Sequence, residues 1–470
     1  MFAGSRIRLL AVGMLALFVS ACAGVKVPQD QQSGSSGSQT GTGTTASAQA
    51  LPLSGTMRVA LLAPLSGDLG PLGQQLVNAA ALALFEKPEA SVEVLPFDTR
   101  GTPEGAAQAA AEARGANVDL VVGPLFGSHL PTVQQAFLGQ PQPILAFTNN
   151  TQLAGGSTFV MGLSVNAQVT HMVDFLGSQG KNRVVVIGPE GVYTDRVIEA
   201  TDAALAATGG TLVNIATYPD DADFNAIAAK VQDVTGYQGR RQSWASYEKQ
   251  LIARVRSAGD PAGFLSSEAA RFGTQSVRGR MLSGLASAYR SFAGSGRNRA
   301  LAETVSRIEG VDAMPVTEYD ALMLPIGDDN LVAIGSMLDL YNAGRGFAVL
   351  TGTNVWSNLR LSSEPSLIGG WYTDSSEPQL SPFLQAYRSN YQETPEAIAV
   401  LGYHAARVAL EAYASGNRPG ATFVRRGGGF NGLAGTVSFG DDNIMRHPLS
   451  IYQVNPEGPQ ELPASGRPGS

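Results

Sequence analysis

The chain has 470 residues, 44% of them hydrophobic, a net charge of −7 and a single cysteine. One cysteine excludes an intrachain disulfide, so an exported domain of this sequence must be held by its core. About four hundred residues follow a stretch too polar to fold, which is more than one hydrophobic core usually serves, and two lobes are expected.

Arg6 and Arg8 lead into an apolar run from Leu9 to Val19 that ends in Ser20-Ala21-Cys22. The run is too short to span a bilayer and reads as a signal peptide over 1–21. Val19-Ser20-Ala21-Cys22 resembles the lipobox of bacterial lipoproteins, which implies that Cys22 is acylated. Ala23, rather than Asp, after that cysteine implies delivery to the outer membrane by the sorting rule of enteric bacteria. Gln31 to Ala50 is nearly all Gly, Ser, Thr, Gln and Ala, so 22–55 is expected to be a lipidated, flexible linker.

From Met57 short apolar β-rich runs alternate with helical patterns: Arg58 to Leu62 then Gln74 to Phe85, Val92 to Phe97 then Glu104 to Arg114, Val118 to Val122 then Leu130 to Leu138, and Ile144 to Phe147. A second series runs through the helix Val169 to Gly177, the strand Arg183 to Ile187, the helix Thr194 to Ala207 and the strand Thr211 to Tyr218, and resumes at Tyr319. Strands separated by amphipathic helices predict mostly parallel sheets, and strands apolar throughout predict helices on both faces. The fold class is α/β with two such lobes. Between the two halves of the second series, 236–310 carries twelve Lys/Arg against five Asp/Glu, and reads as an exposed, partly helical insertion or a contact surface for something anionic. Removing Gln238 to Arg299 is expected to leave a soluble fold. Thr436 to Phe439 and Leu449 to Val454 read as a closing antiparallel pair, and 459–470 as a disordered tail.

Enzyme signatures are missing: there is no G-x-S-x-G, no H-E-x-x-H, no C-x-x-C, and Gly67, Gly70 and Gly73 lack the Lys-Ser/Thr of a phosphate-binding loop. His129, His171, His404 and His447 have no ligand spacing, so no metal, no cofactor and no catalysis are expected.

Ala63-Pro64-Leu65-Ser66-Gly67, Phe97-Asp98-Thr99-Arg100-Gly101-Thr102-Pro103, Val122-Gly123-Pro124 with Ser128, and Tyr193 after a strand resemble, in that order, the leucine/isoleucine/valine-type solute receptors. The resemblance implies a type I periplasmic-binding-protein fold over 56–458. Lobe one would hold about 56–166 and 377–418, and lobe two about 167–376 and 419–458, with a ligand cleft between them. It implies cleft positions at Ser66, Ser128, Thr148, Asn150, Tyr193, Asn354 and Trp356. Ser128 reads equally as a helix N-cap, Thr148 and Asn150 as turn residues, Tyr193 as a hinge cover and Trp356 as core. The family's amino-acid receptors place a carboxylate opposite the ligand ammonium where this chain has Asn354.

A narrower resemblance rests on Tyr319-Asp320-Ala321-Leu322-Met323-Leu324-Pro325, Gly352-Thr353-Asn354-Val355-Trp356, Gly369-Gly370-Trp371-Tyr372 and the basic insertion. These look like the penicillin-binding-protein activator lipoproteins, which have this fold, sit on the outer membrane and touch a peptidoglycan synthase. Two functions are therefore expected: a non-catalytic, periplasm-facing activator of a penicillin-binding protein, or the substrate-binding receptor of an ABC permease for an amino acid or related small polar solute. No nucleic-acid partner is expected.

Overall fold

A computed structural model describes residues 55–463 except 275, 315, 377–379, 427 and 434. The signal peptide, Cys22, nearly all of the linker and residues 464–470 lie outside the described residues.

The first lobe opens with β1 (Met57–Ala63), α1 (Gly70–Phe85), β2 (Val92–Asp98), α2 (Pro103–Gly115), β3 (Leu120–Val122), α3 (Leu130–Ala136), β4 (Ile144–Ala146) and β5 (Thr158–Val160). Its sheet is parallel in the order β2-β1-β3-β4-β5. Side chains of β1 alternate between two cores: Met57, Val59, Leu61 and Ala63 face α1, while Ala60 and Leu62 face α2 and α3. This is why the strand reads as an unbroken apolar run. In α2 the Thr102 hydroxyl accepts from Gly105 N–H, Pro103 stands in the first turn, and Ala106, Ala109, Ala110 and Ala113 form the buried stripe. Gly73 is required where α1 crosses the loop after β1, since a Cβ there would lie 1.8 Å from the Pro64 carbonyl oxygen.

The second lobe begins with α4 (Val165–Ser178), β6 (Arg183–Pro189), α5 (Val192–Thr208), β7 (Thr211–Tyr218) and α6 (Phe224–Val234). The insertion follows as α7 (Tyr237–Ser257), α8 (Pro261–Arg271), α9 (Val277–Ala293) and α10 (Arg297–Glu309). The lobe resumes with β8 (Ala321–Met323), α11 (Asn330–Leu340), β9 (Val349–Gly352) and β10 (Trp371–Ser375). Here too one strand serves two cores: Val185 and Ile187 pack with α6 and α11, and Val184 and Val186 pack with α4 and α5.

The chain returns to the first lobe as α12 (Leu380–Tyr391), α13 (Val400–Ala414), α14 (Ala421–Val424) and a small antiparallel sheet of β11 (Phe430–Gly432), β12 (Gly435–Phe439) and β13 (Met445–Arg446). It ends in the second lobe as β14 (Leu449–Gln453) and β15 (Gln460–Glu461), giving the order β15-β14-β10-β9-β8-β6-β7 with β14 antiparallel to β10. Three expectations change. Residues 419–446 do not join the second lobe: Phe430, Val437, Phe439 and Met445 complete the first lobe's core, because the chain has not yet crossed over when it reaches them. Thr436 to Phe439 and Leu449 to Val454 therefore lie in different sheets, and Gln460 and Glu461 of the expected tail pair with Gln453 and Tyr452.

The chain passes between the lobes near 161–164, between β10 and α12, and near 447–448, and these crossovers are tied together. His447 Nε2 donates to the Met161 carbonyl at 2.9 Å, and Ser376 N–H donates to the Pro448 carbonyl at 2.9 Å.

The insertion is fully helical through most of its length and has its own core of Trp244, Leu251, Val255, Leu265, Leu282, Leu285 and Ile308. Its root is stapled by Arg240, whose guanidinium donates to the carbonyls of Thr235 (3.0 Å), Met314 (3.2 Å), Asn342 (3.0 Å) and Tyr341 (2.7 Å). Tyr237 hydroxyl donates to Asp312, which also pairs with Arg241 at 3.6 Å. A Gln238–Arg299 deletion would thus remove the staple and bare the inner face of α10. Excision of 242–311, closed by about six Gly/Ser residues, is expected instead to leave a cooperatively folding two-lobed protein, because Met314 N–H already bonds the Arg240 carbonyl at 3.0 Å and the cut ends lie side by side. A single circular-dichroism melt within a few degrees of the parent checks this; an aggregated product would show that the lobe depends on the insertion.

Candidate functional site

Ser66, Ser128, Thr148 and Asn150 follow the carboxyl ends of β1, β3 and β4, and Tyr193 and Asn354 follow those of β6 and β9. In open α/β sheets ligands bind beyond such ends. One bond spans the two sets: Arg196 Nη2, on α5, donates to Asn150 Oδ1 at 2.8 Å, so the β4 end of the first lobe and the α5 end of the second meet face to face.

Ser66 is exposed and donates to Asp98 Oδ2 at 2.6 Å, while Leu65 N–H and Arg100 N–H donate to Asp98 Oδ1, each at 2.8 Å. Burial pushes the Asp98 carboxyl up, but the bonds from Ser66, Leu65 and Arg100 together outweigh it and hold it below the ordinary aspartate range. Asp98 ends β2 and fixes the β1–α1 loop; the sequence places it in a motif but gives it no role.

Ser128 lies in a 3-10 turn, Gly127–His129, and is exposed. It does not cap α3: the 3-10 turn runs straight into the helix and puts His129, without a side-chain bond, at the N-cap position, so the capping expectation fails. Thr148 is buried, and its Oγ1 accepts from Asn150 N–H at 3.0 Å. Asn150 Oδ1 also accepts from Gln152 N–H, the turn role expected of it, while reaching the other lobe through Arg196.

In the second lobe the Tyr193 and Thr353 hydroxyls share a hydrogen bond at 2.7 Å, and burial pushes the Tyr193 phenol up, partly offset by that bond. Asn354 is held by its backbone, whose N–H donates to Gln168 Oε1 at 2.8 Å. Trp356 is not in the cleft. It is 0% exposed in the second lobe's core, its Nε1–H donates to the Leu324 carbonyl at 2.9 Å, and its ring lies on Gly352, where a Cβ would be 2.3 Å from Cε2. The 3-10 turn Asn354–Asn358 folds the indole under the sheet.

Asp374, near the end of β10, is a carboxylate that the sequence does not single out. Burial raises its pKa, with bonds from Ser375 and Ser357 opposing. Trp371-Tyr372-Thr373-Asp374 reads as ordinary strand, so nothing in the pattern marks it. Among the described residues no group of three or more His, Cys, Asp or Glu side chains could hold a metal ion, and no helix is long and apolar enough to cross a membrane.

Two mostly parallel sheets joined by three crossovers, with loops from both meeting at the strand carboxyl ends, define a two-lobed binding scaffold. Residues 56–235 match the sequence profile of the periplasmic binding proteins. A leucine-binding protein of Thermotoga maritima shares 17% identity, with 87% of this chain and 98% of that one covered and a TM-score of 0.51. A putative branched-chain amino acid ABC transporter protein of Rhodospirillum rubrum shares 14%, covering 87% and 100%, with a TM-score of 0.60. A solute-binding protein of Rhodopseudomonas palustris in complex with 3,4-dihydroxybenzoic acid shares 14%, covering 87% and 96%, with a TM-score of 0.53. No curated protein matches by sequence. The fold is that of the type I periplasmic binding proteins, with 56–235 carrying that family's sequence signature.

Proposed function

We propose that this chain is a non-catalytic lipoprotein, anchored through Cys22 and facing the periplasm from the outer membrane, that acts by contact with a penicillin-binding protein as an activator of peptidoglycan synthesis. The observation that carries this reading is the cleft rim. Arg196 is bonded across it to Asn150, Tyr193 is bonded to Thr353, and the family resemblance puts Asn354 where an amino-acid receptor has an anion. Leaving a buried ammonium without its partner costs about 3 to 5 kcal/mol, or two to four decades of affinity. The basic helical insertion supplies a second, rigid surface for a partner.

Calorimetry of the mature protein against leucine, valine and glutamate is expected to show nothing tighter than about millimolar. Addition of the protein to the host's purified bifunctional penicillin-binding proteins is expected to raise the glycan polymerisation rate of one of them severalfold. Unchanged rates with every synthase would sink the activator reading. Saturable micromolar heat with an amino acid, abolished by Asp374→Asn, would restore an amino-acid receptor with Asp374 in the anion's role.

A second reading is the substrate-binding receptor of an ABC permease, favoured by the solute receptors among the structural neighbours. Its ligand would be a carboxylate without an ammonium, received by Arg196 on release from Asn150, as the complex with 3,4-dihydroxybenzoic acid suggests by analogy. Micromolar binding of benzoate that is lost in Arg196→Gln would favour it.

A further inference from the structure

A cavity of about 510 Å³ lies where α9 of the insertion meets the second lobe. Arg183 opens β6, Asp320 immediately precedes β8 and Phe347 precedes β9, so the cavity sits at the amino ends of these strands, the opposite edge of the sheet from the cleft. Four cations, Lys181, Arg183, Arg278 and Arg280, line it against one carboxylate, Asp320.

That carboxylate is engaged. It accepts from Asn182 N–H and Arg183 N–H at 3.2 and 3.0 Å and pairs with Arg183 Nε at 3.7 Å, while Arg183 Nη2 donates to the Thr317 carbonyl. Arg278 forms no ion pair among the described residues. Arg280 Nη2 is positioned by the Gly346 carbonyl at 2.9 Å, and Lys181 forms no ion pair among the described residues. Arg278 is held flat by two rings, its guanidinium carbon 3.6 Å from the Phe272 centroid and 4.1 Å from that of Tyr247, and its Nε is buried with no hydrogen-bond partner. A buried donor left unpaired costs free energy, and like charges gathered around one cavity repel. The first turn of α9, a helix of 17 residues, starts here at Val277 and adds the positive end of its dipole.

We propose that this cavity binds an organic phosphate. A phosphate group satisfies a forked Arg and a point-charge Lys together, and the ring-stacked Arg278 is already fixed in the orientation needed to receive it. The cavity is larger than inorganic phosphate requires, and Phe272, Val277 and Phe347 give it apolar walls, so the phosphate carries an apolar or ring-like body. The site is independent of the cleft and of the activator reading.

The test uses the full chain carrying Cys22→Ser, so that no acyl group can itself hold a vesicle. Phenyl phosphate titrated at low salt is expected to bind with a Kd below about 1 mM and more tightly than inorganic phosphate. Lys181→Glu reverses a charge without breaking a described side-chain bond and is expected to weaken binding about tenfold or more. Arg278→Gln is expected to do the same, with its circular-dichroism melt checked because Arg278 also packs on two rings. Cosedimentation with phosphatidylglycerol vesicles but not phosphatidylcholine vesicles, lost in Lys181→Glu, would assign the phosphate to a lipid headgroup; phenyl phosphate binding without cosedimentation would assign it to a soluble ester. No binding of either probe, or binding indifferent to both substitutions in folded protein, would overturn the proposal.

Discussion

Trp356→Ala is expected to destabilise the protein by about 3 to 5 kcal/mol, the range for removing a fully buried large aromatic side chain. The indole has no solvent exposure and packs with Leu324, Leu367 and Tyr372, so its removal leaves a cavity that the sheet above cannot collapse to fill. It also removes one of the two donors to the Leu324 carbonyl, Nε1–H at 2.9 Å, leaving the Ile326 N–H at 2.8 Å. Urea unfolding measures this as a lower midpoint at unchanged slope. A variant that loses under about 1 kcal/mol yet loses a binding activity would show the tryptophan to be a cleft residue after all.

Acidification is expected to weaken the fold well above the carboxylate range. His404 is buried in the first lobe, where its Nε2 accepts from Leu433 N–H at 3.1 Å, and burial together with the neighbouring His447 pushes its pKa down to about 3. His447 is pushed down as well, by burial, with its bond to the Met161 carbonyl opposing. Both rings are neutral when folded, whereas in the unfolded chain each takes a proton near pH 6.5. The unfolded state therefore binds more protons as pH falls below 6.5, and stability falls with it, by about 1.4 kcal/mol per pH unit for His404 until its folded pKa is approached. At pH 5 the loss from His404 is about 2 kcal/mol, and His447 adds to it. Asp339 and Asp374, raised by burial, act in the opposite sense, since each binds a proton more readily folded than unfolded as pH falls through its raised value. Urea unfolding at pH 7.5 and pH 5 should show the difference, and His404→Gln should shrink it. Equal stabilities at the two pH values would contradict it.

Much of the fold is legible because strands buried on both faces leave a continuous apolar signal, as β1 and β6 do, and because α2 announces its start with Thr102 and Pro103. What was not legible depends on partners distant in sequence. Val437 and Phe439 alternate as a half-buried strand should, but nothing local says which lobe's core they complete. Trp356, read from its place after a strand, could face cleft or core; the deciding signal was Gly352 and Gly370, whose missing side chains make the room its ring occupies. The cleft was legible as a set of strand ends, and Asn150 was found as a turn residue, but Arg196, one turn into α5, carries no pattern that foretells its bond to the opposite lobe. Asp374 escaped for the same reason.

The Arg240 staple makes the helical insertion and the second lobe mechanically one part. Four carbonyls from three separate segments converge on one guanidinium, and any independent swing of the insertion would have to break them together. The insertion is then a lever arm. α7 has 21 residues and so reaches about 31 Å from that root, and a turn of the second lobe by about 10° would sweep the far end of α7 through about 5 Å relative to the root. A small movement of the lobe would thereby be presented, enlarged, at the far end of α7.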